Sequence, residues 1–407
     1  MKAIETYNQL ARDIDKKDEK LSFYNFYTRL LSSLIWLILP VVIIISVPLL
    51  KNNVEISEWW TNTFGRAYAN VLTVFAKYFP ISLTEIFFIS LAVILLISVI
   101  LLIRLLIHKK WISAISKVIG IALVITSLIA TYDLSCEFSY KRKPLNLPYY
   151  TSYVDNSEFK DIYNYFGEDL NYCLKTVAVS SDGVISRPMN MYGLSKAVNE
   201  AYHLLDHNDY FYQNSTIAKP MMTSFIYREL QITGMTFNPF KESNLNYLAT
   251  TLELPITVAH EFAHVKGVMR EDDANQLAFY ICLNSDNPYL RLSAYGVYFY
   301  QLSLLTTDIY MSDEDRDAII DVDLNYYKAR NYAYKYWKDH DLMGKIGDWW
   351  NNLYIKSSGV DEGTKSYDGG TEVIPVPDPV DPEIVRLSAS KYQQLFFERY
   401  YRMKGNN

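Results

Sequence analysis

The sequence predicts an α+β, mostly helical chain in which an N-terminal three-helix transmembrane region precedes a domain with a small edge sheet. Three observations predict it. Apolar residues are segregated into long runs within the first third of the chain. Helical periodicity dominates from residue 137 onward. One stretch, residues 234–248, reads instead as an extended pair with a bend at Pro239. At 407 residues the chain exceeds one average domain, so two or three structural units are expected. The hydrophobic fraction of 50% and the mean hydropathy of -0.03 are averages that hide this segregation.

Residues 1–29 carry Lys2, Arg12, Lys16, Lys17, Lys20 and Arg29 and form an N-terminal segment. Residues 30–50 contain no charge and are long enough, at about 1.5 Å per residue, to cross a hydrocarbon core of about 30 Å. Pro40 kinks this span without ending it, and the run starts too far from the N-terminus and is too long to be a cleaved signal peptide. The second span covers residues 82–103 and ends at Arg104; the third covers residues 111–132, with Lys117 near one end where its stem can snorkel. Cations before the first span, and Arg104, Lys109 and Lys110 in the tight turn between the second and third, place both regions in the cytoplasm by the positive-inside rule. The connecting loop 51–80, with Trp59 and Trp60 as interfacial residues, then lies outside. So does everything after about residue 133. The expected location is the cell membrane, multi-pass, with the lipid bilayer as one partner.

Residues 133–356 form the extracytoplasmic domain. Amphipathic helices are expected over 158–175 and 190–205, followed by the extended pair, which forms an edge strand or hairpin. A helix over 251–266 ends at Gly267, a residue suited to the left-handed C-cap. Further helices are expected over 271–283, 289–310 and 312–339, the last started by Ser312. Residues 357–385 are dense in Gly, Pro, Ser and acids and read as a flexible linker. A C-terminal helix within 386–407 carries the stripe Tyr392, Phe396, Phe397 and Tyr400, which docks on the domain.

A net charge of -6 excludes general nucleic-acid binding, because phosphate neutralisation needs a basic surface. Three cysteines, Cys136, Cys173 and Cys282, are too few for a disulfide scaffold or a four-thiolate zinc site. They read as free thiols, with a bridge between Cys136 and Cys173 as the alternative.

The chemistry centres on HEFAH, residues 260–264. On a helix, His260 and His264 project from one face and can hold one Zn²⁺ between their imidazoles. Glu261 lies beside that face, where its carboxylate can take a proton from a metal-activated water and return it to a leaving amine. This is a peptidase signature, and protein or peptide is the substrate class it points to. A catalytic zinc needs a third protein ligand and an open position. Glu271, opening the helix after the Gly267 turn, is the candidate; Asp273 is its rival, and a first turn of acids favoured by the helix dipole is the structural alternative. His203 and His207 share the four-residue spacing, but no Glu follows the first and no third ligand is evident. Tyr295 and Tyr298 are candidate oxyanion donors, although in a chain with 35 tyrosines core packing is the competing role. The 234–246 stretch offers an edge to which an extended peptide can add a strand.

The segment EDDAN, residues 271–275, resembles the Glu-x-x-Ala-Asp element of gluzincin-type zinc peptidases, whose first residue binds metal. The resemblance implies a zincin-like metallopeptidase domain with His260, His264 and Glu271 as metal ligands and Glu261 as general base. Asn275 stands where that pattern has Asp, and its carbonyl can accept the outer N–H of a ligand histidine. A metzincin reading fails, because the third histidine would fall at Arg270. More broadly, KPMMTS (219–224), GMTFNPFKESNLN (234–246), PITVAHEFAH (255–264), Gly267, EDDAN and the three-span start resemble the domain of unknown function 3810 family of multi-pass bacterial membrane proteins, with weaker similarity at GTKSY (363–367). The expected function is thus a membrane-anchored zinc metallopeptidase. The alternative is a non-catalytic zinc-binding membrane sensor or scaffold.

Overall fold

A computed structural model describes residues 27–28, 30–152, 154, 156–205, 210–307, 311–357, 360, 375–377, 385–387 and 389–405. The N-terminal segment 1–29 therefore lies almost wholly outside the described residues, as does most of the linker 357–385. The chain is mostly helical and divides into two units, residues 1–53 with 86–138, and residues 54–85 with 139–407.

The first unit contains three helices long and apolar enough to cross a membrane, which suggests a membrane protein. They are α1 (Leu30–Leu50), α4 (Leu83–Ile107, of which the first three residues belong to the second unit) and α5 (Trp111–Cys136). Their apolar side chains are largely exposed, as side chains that face lipid would be. The second helix runs past Arg104 to Ile107, longer than the sequence span, because leucines and isoleucines on either side of Arg104 are good helix formers.

Most of the stretch read as a connecting loop, residues 54–77 of 51–80, is helical. It forms α2 (Val54–Trp60), a π-helical turn (Thr61–Gly65) and α3 (Arg66–Lys77), and it packs as part of the second unit. Arg142 forms an ion pair with Glu58 at 2.9 Å, and Tyr212 donates to the Thr61 carbonyl at 2.8 Å. Ser82 caps the start of α4 by accepting from the Glu85 N–H at 3.0 Å.

The rest of the second unit is built on α6 (Asn156–Lys175), α7 (Met191–Leu204), α9 (Leu254–Val265), α10 (Glu271–Leu283), α11 (Pro288–Tyr298) and α16 (Lys391–Gly405), with short helices α8 (Ser224–Glu229) and α12 (Tyr300–Ser303). Asn190 caps α7, accepting from the Gly193 N–H at 2.8 Å. The predicted helix over 312–339 is broken into α13 (Asp313–Asp317), capped by Ser312, and α14 (Leu324–Asp339), capped by Asp323; α15 (Gly344–Ser357) follows. A three-stranded sheet runs in the order β1 (Ala218–Pro220), β3 (Glu242–Leu245), β2 (Gly234–Phe237). β2 and β3 are the predicted hairpin, antiparallel, and β1 adds in parallel. Strand β1 was not evident in the sequence because three residues give no alternation to read. A second pair, β4 (Pro375–Pro377) and β5 (Val385–Leu387), lies in the linker region.

Buried polar contacts tie sheet and helices together. Glu242 of β3 forms an ion pair with Lys219 of β1 and accepts from the Thr84 N–H at 2.7 Å. Glu85 accepts from the backbone N–H groups of Met222 and Thr223 at 2.7 and 2.9 Å. On the other side, α16 docks by Tyr392, Phe396, Phe397 and Tyr400, all buried, as the aromatic stripe predicts. Cys136, Cys173 and Cys282 are buried and none is in a disulfide.

Candidate metal centre

Every residue of α9 except His260 is buried, the pattern of a helix at the centre of a core rather than at its surface. Pro255 fits its first turn, where the missing N–H costs nothing. At the other end Gly267 takes φ +90°, the Val268 N–H bonds to the Ala263 carbonyl at 3.0 Å and the Gly267 N–H to the His264 carbonyl at 3.1 Å. These two bonds close a Schellman turn. The turn reverses the chain so sharply that the seven-residue step from His264 to Glu271 is long enough to bring the first residue of α10 back onto the histidine face.

The three side chains converge. His260 Nε2 and His264 Nε2 are 3.0 Å apart, and Glu271 Oε2 lies 3.2 Å from the first and 3.4 Å from the second. The rings stand nearly perpendicular, at 86°. Among the described residues, this is the group of His, Cys, Asp and Glu side chains whose donor atoms could hold a metal ion. His264 and Glu271 are buried and His260 is the most open of the three, which marks the side from which the group is reached.

Electrostatically the cluster is bound by mutual attraction. Burial alone would lower the pKa of His264, but the adjacent Glu271 carboxylate holds it up to about 9. Burial likewise opposes ionisation of Glu271, yet the two imidazoles hold its carboxyl well below the usual carboxylate range. A cation would therefore meet a carboxylate already charged. The Val268 carbonyl lies 2.8 Å from His264 Nδ1 and accepts a hydrogen bond from it, so that in the neutral ring Nε2 is the lone-pair nitrogen facing the cluster. Two buried atoms of this group, Glu271 Oε2 and His260 Nδ1, have no hydrogen-bond partner among the described residues. The Glu271 oxygen is close to both rings but not aligned for a hydrogen bond with either.

Glu261 is buried on the sheet side of α9. The Thr236 hydroxyl donates to its Oε2 at 2.7 Å and to its backbone carbonyl at 3.0 Å. A β carbon at Gly234 would come within 2.7 Å of Glu261 Oε1. Burial raises the Glu261 carboxyl above its ordinary value, a shift that the neighbouring imidazoles and the Thr236 hydroxyl offset only in part. The motif carboxylate is thus seated against β2, the edge strand.

Other sequence-picked residues lie elsewhere. Asp273 accepts from the Leu145 N–H at 3.3 Å and the Tyr210 hydroxyl at 3.4 Å and takes no part in the cluster. Asn275 makes no hydrogen bond to either imidazole among the described residues; the Val268 carbonyl takes the role expected of it on His264. Tyr295 is fully buried, donates to Asp169 at 2.5 Å and stacks on Phe396. It sits in the core, its ring against Phe166 of α6 and Phe396 of α16. Tyr298 stacks on Tyr392, again in the core. His203 is paired with Gln213 at 3.1 Å, while His207 lies outside the described residues. The supporting residues that sequence reasoning missed are Gly234, Thr236 and Val268. Only Gly234, a glycine opening a strand, left a signal.

A family model described as "Protein of unknown function (DUF3810)" matches residues 60–374. No curated protein and no solved structure matches the chain.

Proposed function

The chain belongs to the DUF3810 family, whose description assigns no activity, and from that premise we propose that it is a membrane-anchored zinc metallopeptidase with a zincin-like domain. Its substrate would be an extracytoplasmic or membrane-proximal protein or peptide. The observation that carries this reading is the convergence of His260 Nε2, His264 Nε2 and Glu271 Oε2 at 3.0 to 3.4 Å from one another. The edges of a tetrahedron with zinc–ligand bonds of about 2.0–2.1 Å measure about 3.3 Å, so the donor atoms already have the spacing of such a site. The unpartnered Glu271 Oε2 supports the same fit, since a buried carboxylate oxygen without a donor is costly unless a cation satisfies it. Two imidazoles and one carboxylate also match the donor set of catalytic sites that leave a fourth position open.

Zinc held there would act as a Lewis acid on a peptide carbonyl and on water. The remaining steps belong to the chain. Glu261, with its pKa raised by burial and its orientation fixed by Thr236, takes the proton of the attacking water and passes it to the amine of the leaving peptide. β2, at the sheet edge beside Glu261, supports main-chain pairing with an extended peptide. Orientation follows from the cations flanking the spans, which favour a cytoplasmic N-terminus and an outer-facing domain.

The test is Glu261→Gln in the full chain. It keeps zinc and loses cleavage of outer-surface proteins, read by labelling new N-termini in cells with wild type and variant. Identical N-terminal profiles from the two would exclude the enzyme and leave a zinc-binding sensor or scaffold.

A further inference from the structure

Helix α3 has its amphipathicity inverted. The face it buries is small or polar, Ala69, Thr73 and Ala76, none more than 8% exposed, whereas Val71, Val74, Phe75 and Tyr78 are between 51% and 79% exposed on and just beyond the other face. Positions 71, 74, 75 and 78 follow the i, i+3, i+4, i+7 spacing of a single helical stripe. Phe79 and Ile81 extend the apolar surface past the helix end. Leaving such side chains in water forgoes the favourable transfer of their apolar surface. A contiguous stripe, unlike scattered exposed leucines, marks a surface that something apolar covers.

The chain itself says what covers it. α2 and α3 are joined at one end to α1, which finishes at Leu50, and at the other to α4, which starts at Leu83. Residues 51–53 and 78–82 are the only connections, and at no more than about 3.6 Å per residue they keep both ends of the segment within about 20 Å of a membrane-length helix. A segment tethered twice at that distance stays beside the bilayer surface and within reach of the headgroup zone. Trp59, also exposed, is the residue type enriched at that depth.

We propose that α3 is an interfacial membrane-binding helix whose Val71, Val74, Phe75 and Tyr78 stripe is buried at the headgroup–acyl boundary of the bilayer that α1 and α4 cross. α3 is also fastened to the β2–β3 hairpin, because the Tyr68 hydroxyl donates to the Pro239 carbonyl at 2.5 Å. The hairpin that carries the strand beside Glu261 is thereby held by a lipid-bound element. This inference rests on the helix face and its two tethers and stands whether or not the chain cuts peptides.

The experiment uses the full chain reconstituted in phosphatidylcholine vesicles, with a nitroxide on Val71→Cys, Val74→Cys, Phe75→Cys or Tyr78→Cys in turn. Tyr192→Cys, exposed on α7, is the water-facing reference, and the native cysteines are buried. The proposal expects collision with dissolved oxygen, relative to a water-soluble nickel chelate, to be several-fold higher at the four stripe positions than at the reference. Ratios equal to the reference, or shielding from both collision partners by a covering protein, would overturn it. A label-free check uses the wild-type chain and a phosphatidylcholine carrying a diazirine near the glycerol: cross-links map to residues 66–78 if the proposal holds. Cross-links on α4 but none on α3 would refute it.

Discussion

Gly234 and Glu261 touch across the gap between edge strand and motif helix, the hydrogen of the glycine standing where a methyl group would lie 2.8 Å from the Glu261 Cγ. The strand and the helix approach as closely as they do because one has no side chain at that point. The carboxylate is then held from one side by Gly234 and from the other by the Thr236 hydroxyl.

Gly234→Ala should therefore displace Glu261 while leaving the ligands on α9 and α10 in place. Metal stoichiometry stays at the wild-type value, and peptide cleavage falls on the order of 100-fold, the cost of moving a catalytic group by about 1 Å. Metal analysis and N-terminal labelling on the same preparation check this; unchanged cleavage would mean that Glu261 is not held by this contact.

Gly267→Ala attacks the turn behind His264. Its φ of +90° is strained for any side chain, and a β carbon there would meet the Tyr212 ring at 2.6 Å. Stability should drop by about 1–3 kcal/mol. Because the turn also presents the Val268 carbonyl to His264, zinc affinity should fall about 10–100-fold, measured by competition with a chromophoric chelator.

Tyr295→Phe separates a core role from a catalytic one. The variant loses a hydrogen bond to Asp169 and should be destabilised by about 1.5–3 kcal/mol in denaturant titration, as for bonds to charged groups. Its zinc content and cleavage stay at wild-type levels. A selective loss of cleavage with unchanged stability would restore the oxyanion role.

Lys219→Met leaves Glu242 buried without its cationic partner. Removing one member of such a pair costs about 3–5 kcal/mol, and the lower end applies because Glu242 keeps its bonds to the N–H and hydroxyl of Thr84. A thermal unfolding midpoint within a degree of wild type would show that the pair contributes little.

Much of this architecture was legible in the chain because its signals are local. Three long apolar runs mark three long helices, the Gly267 stop and the acidic start at Glu271 fix the ends of the motif helix and its successor, and Tyr392, Phe396 and Phe397 mark a docked helix. Of the candidate centre, the spacing of His260 and His264 follows from helix geometry and Glu271 is put before Asp273 by its place after the Gly267 turn and the resemblance of EDDAN, and the structure brings those three together. What could not be read was non-local. That residues 54–85 pack with a domain beginning more than fifty residues later follows from contacts such as Tyr212 with Thr61, which no periodicity encodes. The place of Tyr295 could not be read because a buried tyrosine and an exposed one have the same sequence signature until the partner, Asp169, is known. The partner of His264 Nδ1 could not be read because it is a backbone carbonyl, that of Val268, which every residue carries.

The central claim is tested most directly by the metal content of the purified full chain, compared with His260→Ala, His264→Ala and Glu271→Ala after equal exposure to zinc and desalting. The account predicts about one zinc per wild-type chain, as for a single three-ligand site, and a large loss in each variant. A wild type that retains no zinc, or variants that retain as much as wild type, would contradict it.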